Sequence, residues 1–317
     1  MHEPSASALA GDTFSAVFRR YLLATRPKFF TASVLPVVFG TSVGVAASGG
    51  LDLLAALIAL VSIVLLHAGV NVLNDVYDER SGNDGANEGR IHPFTGGSRF
   101  IQNGVLGINA MSRLGVGLVF AGMATGLLLA WLKGPLVLAF GFVGILLGVL
   151  YSMPPIWLSA RGLGEAAVGI GFGVLPVVGA AWLQGATVEA EILVLSLPVT
   201  FWVINVLLIN EVPDAPADAS VGRKTLVVRF GNNGAASIYG GLGLAATCAA
   251  LVATQGDLFP LWGALGPLVL LVLVARTVRE IRSGERPALR HGIEMTLVTH
   301  TAGILWMTAI VITGIVF

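Results

Sequence analysis

Long runs of apolar residues limit this chain to a membrane fold. Of its 317 residues 55% are hydrophobic and only 11% are charged, which excludes an ordinary soluble domain. A helix needs roughly 20 apolar residues to cross a bilayer and satisfies its own backbone hydrogen bonds there. Nine stretches reach or approach that length: 29–48, 51–73, 111–132, 135–151, 163–184, 190–210, 233–255, 258–275 and 293–316. We therefore predict an all-α, polytopic membrane protein with nine transmembrane helices in a bundle, of which 135–151 is the shortest.

The N-terminal segment is more basic and less apolar than the rest of the chain. Residues 1–28 contain four basic side chains and no apolar core followed by a small-residue cleavage site, so we expect no cleaved signal peptide. We predict a partly disordered, basic N-terminal lead-in over 1–28, followed by one transmembrane domain over 29–317. The single cysteine, Cys248, excludes an intrachain disulfide.

Basic residues are distributed very unevenly between the two faces of the predicted bundle. With nine spans, the N-terminus and the loops after spans 2, 4, 6 and 8 share one side, which holds all of the 18 lysines and arginines except Lys133. Positive residues favour the cytoplasmic side. We therefore predict that the N-terminus and these loops are cytoplasmic and that Phe317 lies on the opposite side.

Two similar acidic motifs end spans 2 and 6, on that same side. Each begins with asparagine and an acid and places an aspartate at the next helical turn: Asn74, Asp75 and Asp78 in the first, and Asn210, Glu211, Asp214 and Asp218 in the second. Four spans separate the two motifs, so they have the same orientation. We predict a parallel internal repeat in which helices 2 and 6 are equivalent and present their acids to one cavity.

A polar stripe leads from the membrane interior to the first motif. His67, Asn71, Asn74, Asp75 and Asp78 recur at helical spacing and therefore share one helix face. Because an unpaired polar group is costly in lipid, this face must meet other helices or a water-filled cavity. Pro213 and Pro216 interrupt the second motif and lead us to expect an unwound helix end there.

Glycine-rich basic loops follow both motifs. The first is 90–99, which contains Arg90, and the second is 222–226, which contains Arg223 and Lys224. Glycine lets backbone amides approach an anion, while arginine and lysine bind phosphate oxygens. Acids beside bases therefore predict a divalent metal together with a diphosphate, and the protein is predicted to be an enzyme.

At these residues the chain resembles the UbiA superfamily of intramembrane prenyltransferases. The family motifs correspond to Asn74-Asp75-x-x-Asp78 and Asp214-x-x-x-Asp218, and the similarity extends to 26–28, 151–155, 162–165 and 222–226. Segments 26–28, 95–98 and 162–165 look most like the branch that prenylates 1,4-dihydroxy-2-naphthoate in menaquinone biosynthesis. The chain departs from many members at Asp84, which follows Asp78 by six residues instead of four, so its role as a metal ligand stays open.

The resemblance implies transfer of a polyprenyl group from an allylic polyprenyl diphosphate to an aromatic acceptor within the lipid bilayer. It implies two Mg²⁺ ions held by four aspartates: Asp75, Asp78, Asp214 and Asp218. Substrate-binding residues are expected at Asn71, Asn74, Arg90, Tyr151, Asn210, Glu211, Arg223 and Lys224. Four aromatic residues are candidates for shielding a carbocation or stacking on the acceptor: Phe29, Phe30, Tyr151 and Trp202. Asp78 and Glu211 are candidates for the base, and no nucleic-acid partner is expected.

Two alternatives stay open. A family member can use another acceptor, such as a different quinone precursor, a tetrapyrrole or a glycerol-phosphate lipid. The rival from another class is a cation-coupled transporter, whose acids bind the coupled ion. Transporters more often have inverted repeats and sites at the membrane midplane, whereas this repeat is parallel and its acids lie at one face. Prenyl length and oligomeric state are not fixed by the sequence.

Overall fold

A computed structural model describes residues 3–316, which contain α-helices and no β-strand, so the all-α prediction is confirmed. The helices are α1 Phe14–Ala24, α2 Thr31–Ser48, α3 Leu53–Arg80, α4 Asn83–Ala86, α5 Ile108–Lys133, α6 Leu136–Ser152, α7 Gly164–Val168, α8 Leu175–Leu183, α9 Ala190–Ser220, α10 Leu226–Ala253, α11 Leu265–Ser283 and α12 Arg286–Val316. A π-helical segment, Gly169–Val174, joins α7 to α8.

Eight helical segments in the described part of the chain are long and apolar enough to cross a membrane. They are Pro27–Ser48, Leu53–Arg80, Ile108–Lys133, Gly164–Leu183, Ala190–Ser220, Leu226–Ala253, Leu261–Ser283 and Arg286–Gly314. The remaining predicted span, 135–151, corresponds to α6, an apolar helix of 17 residues at the lower end of the spanning range. The architecture is thus that of a multi-pass membrane protein.

The long helices pack in succession around a central cavity. Helix α3 packs along α5, α9 along α10 and α11 along α12, while α2 contacts α3, α8 and α12. A core of buried apolar side chains, including Phe39, Val177 and Ile304, joins α2, α8, α9 and α12. Gly40 permits the close approach of α2 to α8, because a Cβ at this position would overlap the carbonyl oxygen of Val177.

The outer surface of the bundle is apolar, in contrast to that of a soluble protein. Large side chains such as Val61, Phe120, Phe142 and Val269 are between 51% and 67% exposed. Lipid tails are as apolar as these side chains, so such a surface is stable within a bilayer. The bundle therefore buries its polar groups inward and presents hydrocarbon outward.

The N-terminal segment contains a helix. Thr13 caps α1 by accepting a hydrogen bond from the backbone N–H of Ala16, and residues 14–24 are helical. A side-chain cap of this kind satisfies an N–H group that the helix itself leaves unpaired. This helix occupies part of the predicted lead-in, and the extent of the lead-in over 1–28 stays a prediction. Phe317, which we predicted to lie on the side opposite the N-terminus, is outside the described residues.

Candidate active site

A cavity of about 350 Å³ opens between α3, α6, α7 and α9. One end is polar and is closed by the loops that follow α3 and α9, whereas the other end is lined by apolar side chains. Nine residues predicted for the site line it: Asn71, Asn74, Asp78, Tyr151, Asn210, Glu211, Asp214, Asp218 and Arg223. Its size is within the range of small-molecule sites. The folded chain therefore brings both acidic motifs to one cavity.

The first motif lies on the last turns of α3. This helix continues beyond its apolar stretch to Arg80, so Asp75 and Asp78 are held on regular helical backbone. Asp75 is 2% exposed and lies just behind the cavity wall, where it accepts a hydrogen bond from the Ser98 N–H at 3.1 Å. Arg26 approaches the same carboxylate, with its Nη1 3.8 Å from Oδ1. The loop after α3 thus folds back over the helix that precedes it.

The second motif lies inside α9 rather than on an unwound end. Helix α9 continues through Pro213 and Pro216 to Ser220, so that expectation is wrong. Burial of α9 among neighbouring helices outweighs the local preference of proline for helix ends. Asp214 accepts hydrogen bonds from Asn87 Nδ2 at 2.8 Å and from the Gly96 N–H at 3.2 Å. The carboxylate is consequently fixed by the loop that follows α3.

Arg223 joins the two motifs directly. Its guanidinium forms an ion pair with Asp78 of α3 and donates from Nη1 to Asp218 of α9 at 3.3 Å. Burial alone would lower the pKa of Arg223, but the charges of Asp78 and Asp218 outweigh it and raise the pKa. The guanidinium also lies 5.2 Å from the ring centroid of Trp157. Arg223 is therefore a permanent cation placed between the acids.

The loop after α3 brings a further acid into the site. A Cβ on Gly97, whose φ is +74°, would lie 2.9 Å from Asp84 Oδ2 and 3.0 Å from Asp75 Oδ1. These two carboxylates thus share the space beside Gly97, although Asp84 does not have the usual family spacing. Burial, together with the charges of Asp78 and Asp75, raises the pKa of Asp84 to about 8.

Sequence reasoning missed three contributors to the polar end. Asn83 and Asn87 line the cavity, and each has a buried Oδ1 without a hydrogen-bond partner. Their spacing of four residues, next to glycine, was the available signal. Arg26 was noted among the basic residues of 1–28 and within the family resemblance, but not as a site residue, and it faces Asp75 from the turn between α1 and α2.

The amide and aromatic residues of the prediction have distinct surroundings. Asn71 donates to the Thr25 carbonyl at 3.3 Å, and Asn74 donates to Ser152 Oγ at 3.2 Å. Asn210 Oδ1 and Glu211 Oε2 are buried without a hydrogen-bond partner. Tyr151 also lines the cavity. Unpaired buried oxygens of this kind require a cation, a donor or water.

Arg90, Lys224 and Trp202 are placed away from the cavity, and Phe30 packs against His67 without lining it. Arg90 is held by Glu3, with Nε 2.8 Å from Oε1, and by the Asn87 carbonyl. Lys224 forms a backbone hydrogen bond to Ala160 and is not among the lining residues. Trp202 is 2% exposed in the apolar core against Gly303, so its predicted contact with a substrate is wrong. Phe29 lines the cavity as predicted for a shielding aromatic residue.

The donor atoms at the polar end fit a hard divalent cation. They are carboxylate and amide oxygens, which are the ligands that Mg²⁺ accepts together with water and phosphate oxygens. Asp75 Oδ1, Asn87 Oδ1 and Glu211 Oε2 are buried without a hydrogen-bond partner. Within residues 3–316, no three acidic, histidine or cysteine side chains meet at one point.

The family model for UbiA prenyltransferases matches residues 33–298. The chain belongs to the UbiA prenyltransferase family. The protein is accordingly a polyprenyl transferase embedded in a membrane, and the multi-pass architecture and the family agree.

Curated relatives are similar over most of the chain. The 1,4-dihydroxy-2-naphthoate octaprenyltransferase of Mycobacterium leprae is 31% identical, covering 93% of this chain and 96% of the relative. The Escherichia coli protein of the same name is 28% identical, with 87% and 90% covered. The 2-carboxy-1,4-naphthoquinone phytyltransferase of Synechocystis is 28% identical, with 71% and 70% covered.

Solved structures share the fold. A UbiA homologue from Archaeoglobus fulgidus bound to GPP and Mg²⁺ has a TM-score of 0.61 at 17% identity, covering 91% of this chain and 99% of that one. A digeranylgeranylglyceryl phosphate synthase has a TM-score of 0.64 at 16% identity, with 93% and 99% covered. At this level of identity the likeness establishes the architecture alone.

Proposed function

We propose that the protein transfers a polyprenyl group from an allylic polyprenyl diphosphate to 1,4-dihydroxy-2-naphthoate, as a step of menaquinone biosynthesis, and that transfer depends on Mg²⁺. The observation that carries the proposal is one cavity with two chemically different ends. Asp78, Asp218 and Arg223 meet at the polar end, and apolar walls form the rest. This polarity matches a charged diphosphate attached to a hydrocarbon tail. The names of the naphthoate-using relatives support the acceptor.

Four aspartates would hold two Mg²⁺ ions at the polar end: Asp75, Asp78, Asp214 and Asp218. The ions would supply Lewis-acid stabilisation of the negative charge that grows on a departing diphosphate. Asn87 and Asn210 add buried amide oxygens to the same region. The homologue from Archaeoglobus fulgidus that is bound to GPP and Mg²⁺ supports this combination of ligands.

The basic side chains assist departure of the diphosphate. Arg223 can donate to a phosphate oxygen from the place where it now contacts Asp78 and Asp218, and Arg26 lines the same end. Such fixed donors stabilise the leaving group as the allylic C–O bond breaks. Arg90 and Lys224 remain proposed substrate ligands that would reach the diphosphate from the surrounding loops.

The rest of the cavity protects the reacting carbon. Apolar walls that include Val70, Val149 and Val206 exclude water, which would otherwise capture the allylic cation. The rings of Phe29 and Tyr151 present faces that stabilise positive charge. The electron-rich acceptor ring then forms the new C–C bond and loses a proton to a nearby base, for which Asp78 and Glu211 are the proposed groups.

We also propose the arrangement in the membrane. Helix α6 would complete a nine-helix bundle, with α3 and α9 as the equivalent members of a parallel repeat and 29–317 as one domain. Both helices carry their acids at the same end of the cavity, which supports the repeat. The positive charge of the loops at this end supports a cytoplasmic active site and N-terminus.

The acceptor is tested by giving purified protein Mg²⁺, one labelled polyprenyl diphosphate and a panel of acceptors in equal amounts. The panel contains 1,4-dihydroxy-2-naphthoate, another quinone precursor, a tetrapyrrole and a glycerol-phosphate lipid. We expect prenylated naphthoate as the main lipid product. Preferential prenylation of another acceptor would replace the naphthoate assignment within the family. Ion-driven uptake into vesicles without diphosphate release would instead support a transporter.

A further inference from the structure

The apolar end of the cavity contains an aromatic cluster built around a buried histidine. His67 on α3 is 6% exposed and lines the cavity. Its ring centroid is 4.7 Å from that of Phe172, in an edge-on arrangement, and 5.5 Å from that of Phe30. Phe172 lies within the π-helical segment Gly169–Val174, and segments of this kind are frequent at functional sites. His67 and Phe172 both line the cavity, and Phe30 packs against His67 without lining it.

The hydrogen bonds of Ser33 are the basis for assigning the tautomer of His67. Ser33 Oγ donates its only hydrogen to the Phe30 carbonyl at 3.1 Å. With that hydrogen on the carbonyl, the same oxygen, 2.9 Å from His67 Nδ1, accepts from an Nδ1–H group, and we assign this tautomer to His67. In the neutral imidazole the other nitrogen, Nε2, then has a lone pair and no hydrogen. Nε2 forms no hydrogen bond to a described residue. It is also not among the fully buried polar atoms that lack a partner, so it is accessible from the cavity.

A hydrocarbon tail would leave this lone pair unsatisfied. Burial of an acceptor atom without a donor is unfavourable, whereas a hydroxyl group would satisfy it. A flat ring also packs favourably against the ring of Phe172, which lines the cavity. His67 lies two turns below Asp75 on the same face of α3, a rise of about 12 Å. An aromatic ring that reaches from His67 toward the diphosphate end fits this interval.

We propose that His67 and Phe172, with Phe30 packed against the His67 ring, form the subsite for the aromatic acceptor, and that His67 Nε2 accepts a hydrogen bond from a ring hydroxyl. The inference rests on the proposed prenyl transfer and specifies which part of the cavity takes the acceptor. His67 is thereby a specificity-determining residue for hydroxylated rings. The prenyl tail leaves the polar end by another part of the apolar wall.

The test compares two acceptors in two proteins. 1-Hydroxy-2-naphthoate lacks the 4-hydroxyl of 1,4-dihydroxy-2-naphthoate, and His67→Phe removes Nε2 while retaining a ring. We expect the preference for the dihydroxy acceptor, measured as a ratio of kcat/KM values, to be about tenfold smaller in H67F than in the wild type, which is the effect of one hydrogen bond. The intrinsic reactivity of the two acceptors cancels in this comparison. The KM for the prenyl diphosphate should change by less than about twofold, well below that hydrogen-bond effect.

Two further variants make the result specific. His67→Gln keeps a side-chain oxygen near the position of Nε2 and should retain most of the preference. His300, on α12, is a second buried histidine that does not line the cavity. The variant His300→Phe should therefore retain the full preference for the dihydroxy acceptor. An unchanged preference in H67F, or a rise only in the KM for the diphosphate, would overturn the subsite. Absence of transfer to any hydroxylated ring by the wild type would instead remove the proposed function, and the inference with it.

Discussion

Replacing Arg223 should destabilise the protein far more than replacing another arginine on the same face. The variant Arg223→Gln leaves Asp78 and Asp218, whose side chains are 12% and 5% exposed, without their shared cation. Removing one partner of a buried ion pair costs about 3–5 kcal/mol. At about 2–4 °C per kcal/mol, the expected fall in unfolding temperature is on the order of 10 °C.

The matched control is Arg90→Gln. Its ion pair with Glu3 is partly exposed, at 23% and 31%, and such pairs contribute about 0–1 kcal/mol. Thermal unfolding of both variants in the same detergent gives the comparison. Added Mg²⁺ should raise the unfolding temperature of R223Q more than that of the wild type, because the guanidinium no longer competes for the two carboxylates. Equal unfolding temperatures for R223Q and R90Q would refute the reasoning about the buried bridge.

Three further predictions concern the acids and the loop that covers them. Asp75→Asn and Asp214→Asn should abolish prenyl transfer while leaving the protein folded, and near wild-type turnover in either variant would remove its proposed metal role. Asp84 keeps its proton to about pH 8 when folded but loses it near its ordinary pKa of 3.8 when unfolded, so stability should fall as pH rises between these values. Asp84→Asn should flatten that part of a thermal-unfolding profile, and an unchanged profile would contradict the assignment. Gly97→Ala should abolish transfer because its Cβ would meet two carboxylates, whereas Gly104→Ala, with φ of +65° but open space, should cost only about 1 kcal/mol of stability and retain activity.

The sequence predicted the helices well because membrane spans depend on local composition. The acids of both motifs could also be assigned to one cavity, since helical spacing and equal orientation are visible in one dimension. Helix α9 could not be predicted through Pro213 and Pro216, because the packing that stabilises it comes from distant helices. The return of the loop over α3 could not be predicted either. The proximity of Asp84 and Asp75 beside Gly97 depends on that loop and was therefore also not predicted.

Long side chains were the least predictable part of the site. Arg90 and Arg223 both lie in basic, glycine-rich loops, and the sequence predicted both equally as substrate-binding residues. In the folded protein Arg90 is paired with Glu3, whereas Arg223 is buried between the motifs. The difference arises from the position of the N-terminal segment relative to the loop after α3, which no local pattern encodes. Trp202 likewise could not be distinguished from a cavity residue until its neighbours on α12 were known.

The most direct measurement of the central claim is prenylation of 1,4-dihydroxy-2-naphthoate by one purified preparation, first freed of divalent cations by a chelator and then supplied with Mg²⁺. The account predicts no prenylated lipid product in the metal-free sample and formation of product, with release of diphosphate, once Mg²⁺ is added. Equal product formation under both conditions would contradict the role of the acidic motifs. Absence of both product and diphosphate release from folded protein with Mg²⁺ would contradict the proposed reaction.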